Sequence, residues 1–426
     1  MAKPKPRHKN ILTWSVLLGI AILVVTIAVV AILNSKPPIK VGVLHSLSGT
    51  LAISEKPVVE STLLAIEEIN RSGGILGRRI EPIVVDGKSD WQEFARQAER
   101  LITQDKVATI FGCWTSASRK TVKPVLEEYN HLLIYPVQYE GLEQSPNIIY
   151  TGAAPNQQII PGVKWAFENL GKKFFLVGSD YVFPRSANEI IKAQVKALKG
   201  QIVGEEYLLL GSQDVEEVIS KIKKSQPDAI LNTINGDSNI AFFKALRQAG
   251  IAPDKIPTIS FSIAESELQE MGAEVVGDYA VWNYFQSVRT PANQSFIAAF
   301  QAKYGKERVV NDPMEAAYFG VKLWAQAVAK AKSDQTSAIR TALIRQSYNA
   351  PQGVVYIDPQ NQHTWKTVRV GKITADRQFD IVWSSGRPVQ PIPYPVYKSK
   401  EEWQSFLGAM YQGWGGNWAN LGRKEK

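Results

Sequence analysis

The chain has 426 residues, of which 45% are hydrophobic and 10% aromatic, and its formal net charge is +9. The apolar content excludes a disordered chain, and the length exceeds what one hydrophobic core usually serves, so we expect two lobes. Most of the excess positive charge lies in residues 1–10 and 398–426, and the nearly balanced remainder argues against nucleic-acid binding. Cys113 is the only cysteine and the four histidines show no metal-ligand spacing, so neither a disulfide nor a metal site is expected.

The first forty residues predict a membrane anchor. Every residue from 11 to 33 is apolar or small and uncharged, and as a helix this stretch would reach roughly 35 Å, enough to cross a bilayer. The stretch is longer than the apolar part of a cleavable signal peptide and lacks a small-x-small exit, which favours an uncleaved anchor. Because the basic residues precede it, residues 1–38 are predicted to form a cytoplasmic segment with the anchor or signal, and the remainder to lie in the periplasm.

From Ile39 onward, β-branched runs alternate with helix-period segments, which is typical of a parallel sheet with crossover helices. The first helix is predicted from about Lys56 to Arg71. The alternation restarts near Lys172, and the helices and strands left over after it indicate that the chain crosses back between two lobes. The proline- and tryptophan-rich end from Ser385 predicts no core helix or strand. The predicted division is an anchor segment (1–38), lobe 1 (39–155), lobe 2 (156–285), a return to lobe 1 (286–352), and the completion of lobe 2 with a tail (353–426).

Two stretches at the ends of successive predicted strands stand out, GCWTSASRK at 112–120 and LLIYPVQYEG at 132–141. Each places aromatic rings beside hydroxyls and backbone amides just after an apolar run. In open α/β sheets, ligands bind at the carboxyl ends of the strands. The two stretches therefore predict a small-molecule site, with Ser118 expected to cap the helix that follows the first of them.

Residues 39–403 resemble the type I periplasmic solute receptors, and within them the urea and short-chain amide receptors of ABC importers. The broad resemblance rests on AIEEINRSGGILGRRIEPIVVDGKSD at 65–90. The narrow one rests on four stretches: FGCWTSASRKTVKPVLEEYN, YPVQYEGLEQSPNIIYTGAAPNQQ, GSDYVFPRSAN and NDPMEAAYFG.

The resemblance implies an α/β fold of the type I periplasmic binding protein class, with two doubly wound parallel-sheet lobes joined by a hinge of three crossovers. It implies an extracytoplasmic receptor that captures urea or a short-chain amide between the lobes. The receptor would deliver its ligand unchanged to the membrane permease subunits of an ABC importer. Neither catalysis nor a cofactor belongs to that role.

Urea is neutral and planar, with one carbonyl acceptor and four N–H donors, so a closed site must supply several hydrogen-bond partners. By resemblance, Ser116 and the backbone of Val137 would supply hydrogen bonds, while Gln138 forms a polar edge. His45 is left out as a structural residue. The remaining candidates are the flat walls Trp114 and Tyr135, the closing residue Tyr181, and the further positions Asp180, Thr233, Asn235 and Glu315.

Three other functions compete with this one. A branched-chain amino acid receptor of the same fold would need groups for a carboxylate and an ammonium, and Trp114 looks too bulky for an aliphatic side chain. An amide-sensing regulatory protein is disfavoured by the predicted span. An amide hydrolase with Cys113 as nucleophile is disfavoured because no base can be placed beside that thiol.

Overall fold

The computed structural model describes Leu17 and residues 36–422. Apart from Leu17, the predicted anchor at residues 11–33 lies outside this part of the chain. Among the described residues, no helix combines the length and the apolar character needed to cross a bilayer.

The first lobe contains a five-stranded parallel sheet with strand order β2-β1-β3-β4-β5. Strand β1 pairs on both sides and is buried except at Lys40, which explains its nearly continuous apolar sequence. The strands are β1 (Ile39–His45), β2 (Ile80–Asp86), β3 (Ile110–Gly112), β4 (Leu133–Tyr135) and β5 (Ile148–Tyr150). The helices between them are Ala52–Arg71, Trp91–Thr103 and Ser116–Glu128.

The second lobe contains a seven-stranded sheet with order β15-β14-β10-β9-β8-β6-β7, in which β14 and β15 run antiparallel to their neighbours. Its strands are β6 (Lys173–Ser179), β7 (Gln201–Leu208), β8 (Ala229–Thr233), β9 (Thr258–Ser260), β10 (Tyr279–Trp282), β14 (Arg369–Ile373) and β15 (Phe379–Ser384). Its helices are Ile159–Asn169, Val182–Ala197, Glu216–Ser225, Ser238–Gln248 and Glu265–Met271. The predicted α/β fold with parallel-sheet lobes is confirmed.

Between β10 and β14 the chain returns to the first lobe. There the Tyr304 hydroxyl donates to the Glu60 carbonyl (2.9 Å) and the Ser61 hydroxyl donates to the Met314 carbonyl (2.7 Å). A small antiparallel sheet follows, and its first hairpin turns at residues 351–352. The returning elements are the helices Pro291–Tyr304, Asp312–Ala331 and Thr336–Leu343 and the strands β11 (Ser347–Ala350), β12 (Gly353–Ile357) and β13 (Thr364–Trp365).

The prediction of a tail without a helix is wrong, because a helix spans Lys400–Gly413. Ser399 caps it: its hydroxyl accepts from the Glu402 N–H (3.2 Å), and the Glu402 carboxylate accepts from the Ser399 N–H (2.7 Å). Trp403 is fully buried and donates from Nε1 to the Pro395 carbonyl (2.9 Å). The capping box and one buried ring therefore outweigh the glycines that made this segment look irregular.

Candidate functional site

The first rim loop turns sharply at the end of β3. Cys113 adopts the left-handed conformation (φ 63°), and its N–H donates to the Leu44 carbonyl at the end of β1 (2.9 Å). The helix then begins at Ser116, with Thr115 as its cap, since the Thr115 hydroxyl accepts from the Ser118 N–H (3.0 Å). The prediction of Ser118 as the cap is therefore wrong; its own hydroxyl donates to the Thr115 carbonyl (2.9 Å).

The second rim loop is joined to the first by one hydrogen bond. The Tyr135 hydroxyl donates to the Trp114 carbonyl (2.7 Å), and both residues are buried. Val137 packs directly on the backbone of Gly152, where an added Cβ would overlap the Val137 carbonyl oxygen. Gln138 donates from Nε2 to the Phe261 carbonyl of the second lobe (3.0 Å). The two loops and the facing lobe therefore meet at these side chains.

A buried charge network holds the Ser116 hydroxyl in place through hydrogen bonds. The Arg119 guanidinium donates to the Ser116 hydroxyl (3.1 Å) and to the Glu143 carboxylate (2.9 Å), and lies 4.7 Å from the centre of the Tyr135 ring. The Ser116 hydroxyl donates in turn to the Glu140 carboxylate. The hydroxyl proton of Ser116 is thus committed, and this oxygen has only acceptor capacity left for a ligand.

Tyr181 approaches this network from the second lobe. It precedes the helix Val182–Ala197 and is 1% exposed. Burial raises its pKa well above the ordinary value, and the nearby Tyr135 and Glu140 raise it further. Tyr181 therefore remains a protonated phenol.

The other four predicted positions form hydrogen bonds away from the rim loops. Among the described residues, none of the four is hydrogen-bonded to the charge network of Ser116, Arg119, Glu140 and Glu143. Asp180 accepts from Arg185 (2.7 Å) and from Asn420 of the tail (2.6 Å). Thr233 donates to the Val177 carbonyl (3.1 Å), Asn235 donates to the Thr233 carbonyl (3.0 Å), and Glu315 accepts from Gln352 (2.8 Å), with burial raising the Glu315 pKa to about 7.

Two residues that the sequence reasoning did not place in the site lie beside it, His45 and Glu55. Nδ1 of His45 is 2.9 Å from Oε2 of Glu55, and the Ser46 N–H donates to the same oxygen (2.8 Å). Nε2 of His45 and Oε1 of Glu55 are buried and have no hydrogen-bond partner among the described residues. The signal available in the sequence was a histidine at the last position of a strand and an acid ten positions later.

Direct contacts between the lobes close the cleft over these groups. The Thr50 hydroxyl donates to the Asp237 carboxylate, and the Ser54 hydroxyl donates to the Glu267 carboxylate (2.6 Å). At the other edge, Nζ of Lys120 lies 5.1 Å from the centre of the Trp418 ring. The side chains of the site are therefore covered by both lobes, a setting in which each unpaired buried polar atom is costly.

The Cys113 thiol is fully buried, and burial raises its pKa, with Glu55 adding to the effect. A raised pKa disfavours the thiolate that a nucleophile requires. Within the described part of the chain, no three His, Cys, Asp or Glu side chains are grouped so as to hold a metal ion.

A family model described as a periplasmic binding protein domain matches residues 39–400. Leu/Ile/Val-binding protein homolog 6 of Brucella melitensis is 22% identical over 343 residues, which cover 79% of this chain and 87% of that protein. Limonene hydroxylase of Geobacillus stearothermophilus is 32% identical over 124 residues, 29% of this chain, and this chain spans only 23% of that protein.

Among solved structures, an ABC-transporter solute-binding protein from R. palustris, crystallised with 4-hydroxybenzoate, has a similar fold. The TM-score is 0.75 at 23% identity, and the match covers 82% of this chain and 97% of that one. The R. palustris protein therefore has the same two-lobed fold as the chain described above.

Proposed function

This chain belongs to the periplasmic binding protein family and is an extracytoplasmic solute-binding receptor of the Leu/Ile/Val-binding type, and we propose that its solute is urea or a short-chain amide. The solute would be held between the lobes at Ser116, Tyr135, Gln138 and Tyr181. The permease subunits of an ABC importer would then receive it unchanged.

The observation that carries this proposal is that the buried cations of the site are already paired. Arg119 contacts Glu140 (3.3 Å) and Glu143 (2.9 Å), and Lys120 contacts Glu143 (3.0 Å). Among the described residues, the buried side-chain atoms of this region that lack a hydrogen-bond partner include Oε1 of Gln138, which is an acceptor. A small solute rich in N–H donors and without a negative charge matches that supply.

The size of urea limits the affinity. At a ceiling of about 1.5 kcal/mol per heavy atom, its four atoms give about 6 kcal/mol, which corresponds to a dissociation constant of tens of micromolar. Calorimetric titration of the full chain with urea, acetamide and leucine tests the proposal. We expect heat from urea or acetamide and none from leucine; binding of leucine alone would overturn the proposed ligand.

A pair of serine variants sharpens this test. Ser116→Ala removes an acceptor from the proposed site and should weaken binding about tenfold. Ser118→Ala removes an equally buried hydroxyl from the same helix, one that is bonded to the Thr115 carbonyl, and should leave the affinity unchanged. Equal affinities in both variants would remove Ser116 from the site.

The alternative ligand is a branched-chain amino acid, which the name of the Brucella relative favours. A bound amino acid presents a carboxylate, and a buried carboxylate needs a cation or several N–H donors. In the described part of this site Arg119 and Lys120 are both engaged by glutamates. The leucine arm of the titration decides between the two ligands.

We also propose that residues 11–33 hold the receptor at the membrane with the lobes outside the cytoplasm. The proposal rests on the length of the apolar stretch and on the basic residues before it. Membrane fractionation of cells expressing the chain should place it in the membrane pellet, with the lobes accessible to protease only from the outside. Recovery in the soluble periplasmic fraction would instead indicate cleavage.

A further inference from the structure

The Glu55 carboxylate lies in the first turn of the helix Ala52–Arg71 and points back to the end of β1. Its Oε2 already accepts from Nδ1 of His45 (2.9 Å) and from the Ser46 N–H (2.8 Å). Its Oε1 is buried and has no partner among the described residues. One oxygen of this carboxylate is therefore hydrogen-bonded within the fold, and the other oxygen is free to accept a hydrogen bond from a ligand.

The imidazole of His45 likewise has one hydrogen-bonded atom and one atom without a partner among the described residues. Nδ1 of His45 and Oε2 of Glu55 form a hydrogen bond in the tautomer that carries its proton on Nδ1, with the carboxylate oxygen as acceptor. Nε2 of a neutral imidazole then presents a lone pair, and this atom is also buried and unpaired in the described structure. The His45–Glu55 pair thus offers two open acceptors at one place.

This pair lies beside the proposed ligand. Leu44, the residue before His45, accepts from the Cys113 N–H (2.9 Å), so the end of β1 adjoins the rim loop that carries Trp114 and Ser116. Burial raises the pKa of Tyr181, and the Glu55 carboxylate adds a smaller contribution in the same direction.

We propose that the His45–Glu55 pair binds one amino group of the solute and makes the receptor select urea over acetamide. The inference rests on the proposed function. The second amino group of urea would meet the other open acceptors, Oε1 of Gln138 and the Ser116 hydroxyl. Acetamide carries a methyl group in place of one amino group, so it leaves one of the two acceptor sets buried and unpaired.

Two nearly isosteric variants test the pair. Glu55→Gln can keep an acceptor toward Ser46 and His45 and then turns an N–H donor toward the solute. His45→Asn keeps a donor close to the position of Nδ1 and removes Nε2. Glu60→Gln, on the same helix but paired with Arg308 at the half-buried surface, is the matched control.

The measurement is calorimetric titration of the full chain with urea and with acetamide, with thermal unfolding recorded for each variant. The unmodified receptor should bind urea at least about tenfold more tightly than acetamide. Glu55→Gln and His45→Asn should each weaken urea by about tenfold or more and acetamide by less than about threefold, while Glu60→Gln changes neither. If Glu55→Gln fails to fold, His45→Asn carries the test.

Three results would overturn the inference. The first is an unchanged urea-to-acetamide ratio in a folded variant of the pair, with urea still bound by the unmodified receptor; the proposed function would then survive alone. The second is tighter binding of guanidinium than of urea at millimolar concentration, which would make Glu55 a counter-ion for a cation. The third is the absence of binding of both amides to the unmodified receptor, which would remove the proposed function as well.

Discussion

Arg119 donates a hydrogen bond from Nε to Oε1 of Glu143 (2.9 Å), although both side chains are buried. Lys120 donates to the other oxygen of the same carboxylate (3.0 Å), and the Tyr150 hydroxyl adds a further donor (3.0 Å). Because Arg119 also donates to Ser116, this network fixes the position of the hydroxyl that we propose as a ligand contact.

Glu143→Gln should therefore lower the free energy of unfolding by about 3 kcal/mol at neutral pH, since it leaves two buried cations with Glu140 as their remaining partner. Burial alone would raise the pKa of Glu143, but Arg119 and Lys120 hold it well below its ordinary value of 4.5. A lowered pKa contributes stability above pH 4.5 that is lost as the pH falls further. The difference between variant and unmodified protein should thus shrink below pH 4.5 in guanidinium titrations.

Glu81→Gln is the control for this prediction, because Glu81 is exposed on β2. It should change the free energy of unfolding by less than about 0.5 kcal/mol at every pH. A Glu143→Gln protein as stable as this control would contradict the role given to the network.

Glu265 should give the free energy of unfolding the opposite dependence on pH. Burial raises its pKa to about 8, and Asp312 and Glu267 raise it as well, while the Gln286 N–H donates to its carboxylate (2.6 Å). The folded protein therefore keeps a proton that the unfolded chain loses, and stability falls as the pH rises from about 4.5 to about 8.

Glu265→Gln mimics the protonated form and removes this loss. The variant should match the unmodified protein near pH 4.5 and exceed its free energy of unfolding by about 1–3 kcal/mol at pH 8.5. Thermal unfolding at a series of pH values measures the difference. Glu270→Gln, an exposed change on the same helix, should show no such trend, and a trend shared by both variants would contradict the assignment to Glu265.

Alanine substitutions at two glycines should have opposite effects, because a side chain cannot fit at one position and can fit in a helix at the other. A Cβ at Gly152 would overlap the carbonyl oxygen of Val137, whereas a Cβ at Gly408, in the helix Lys400–Gly413, would meet no atom within 4 Å. Gly152→Ala should displace the Val137 loop, lower the melting temperature and abolish measurable solute binding. Gly408→Ala should stabilise the protein by about 0.5–1 kcal/mol. Normal binding by Gly152→Ala would show that the loop position is not needed.

The lobes and the rim loops could be predicted because both leave a local pattern in the sequence. Strand β1 is apolar on both faces because nearly all of its residues are buried, and Trp114 and Tyr135 lie at the ends of short apolar strands, two residues after β3 and at the last position of β4. Long-range relations were less accessible. The hydrogen bonds of Asp180 to Asn420 and of Glu315 to Gln352 join distant parts of the chain, and nothing near either acid indicates its partner.

Glu55 shows how a small error in an element boundary hides a residue of the proposed site. The helix was predicted from about Lys56 but begins at Ala52, and its cap residue Leu51 makes no side-chain capping bond, so the usual start signal is missing. Within the helix, Glu55 lies in the first turn and reaches back to Ser46. A histidine at a strand end and an acid in the next first turn are a pattern that could be sought in other sequences.

The tail residue Trp418 connects the two lobes, since its carbonyl accepts from the Val182 N–H of the second lobe (2.9 Å) and its ring faces Lys120 of the first (5.1 Å). A contact of this kind stabilises the closed state, and the apparent affinity of a receptor falls with the population of its binding-competent state.

Trp418→Ala should therefore weaken solute binding about two- to fivefold in calorimetric titrations, while Trp418→Phe, which keeps a ring, should weaken it less. Trp414→Ala removes a ring that lines a pocket between the helix Lys400–Gly413 and Arg185 of the second lobe, and it should leave the affinity unchanged. Equal losses in Trp418→Ala and Trp414→Ala would assign the tail to folding of the second lobe alone, because a link between the lobes requires the ring that meets Lys120.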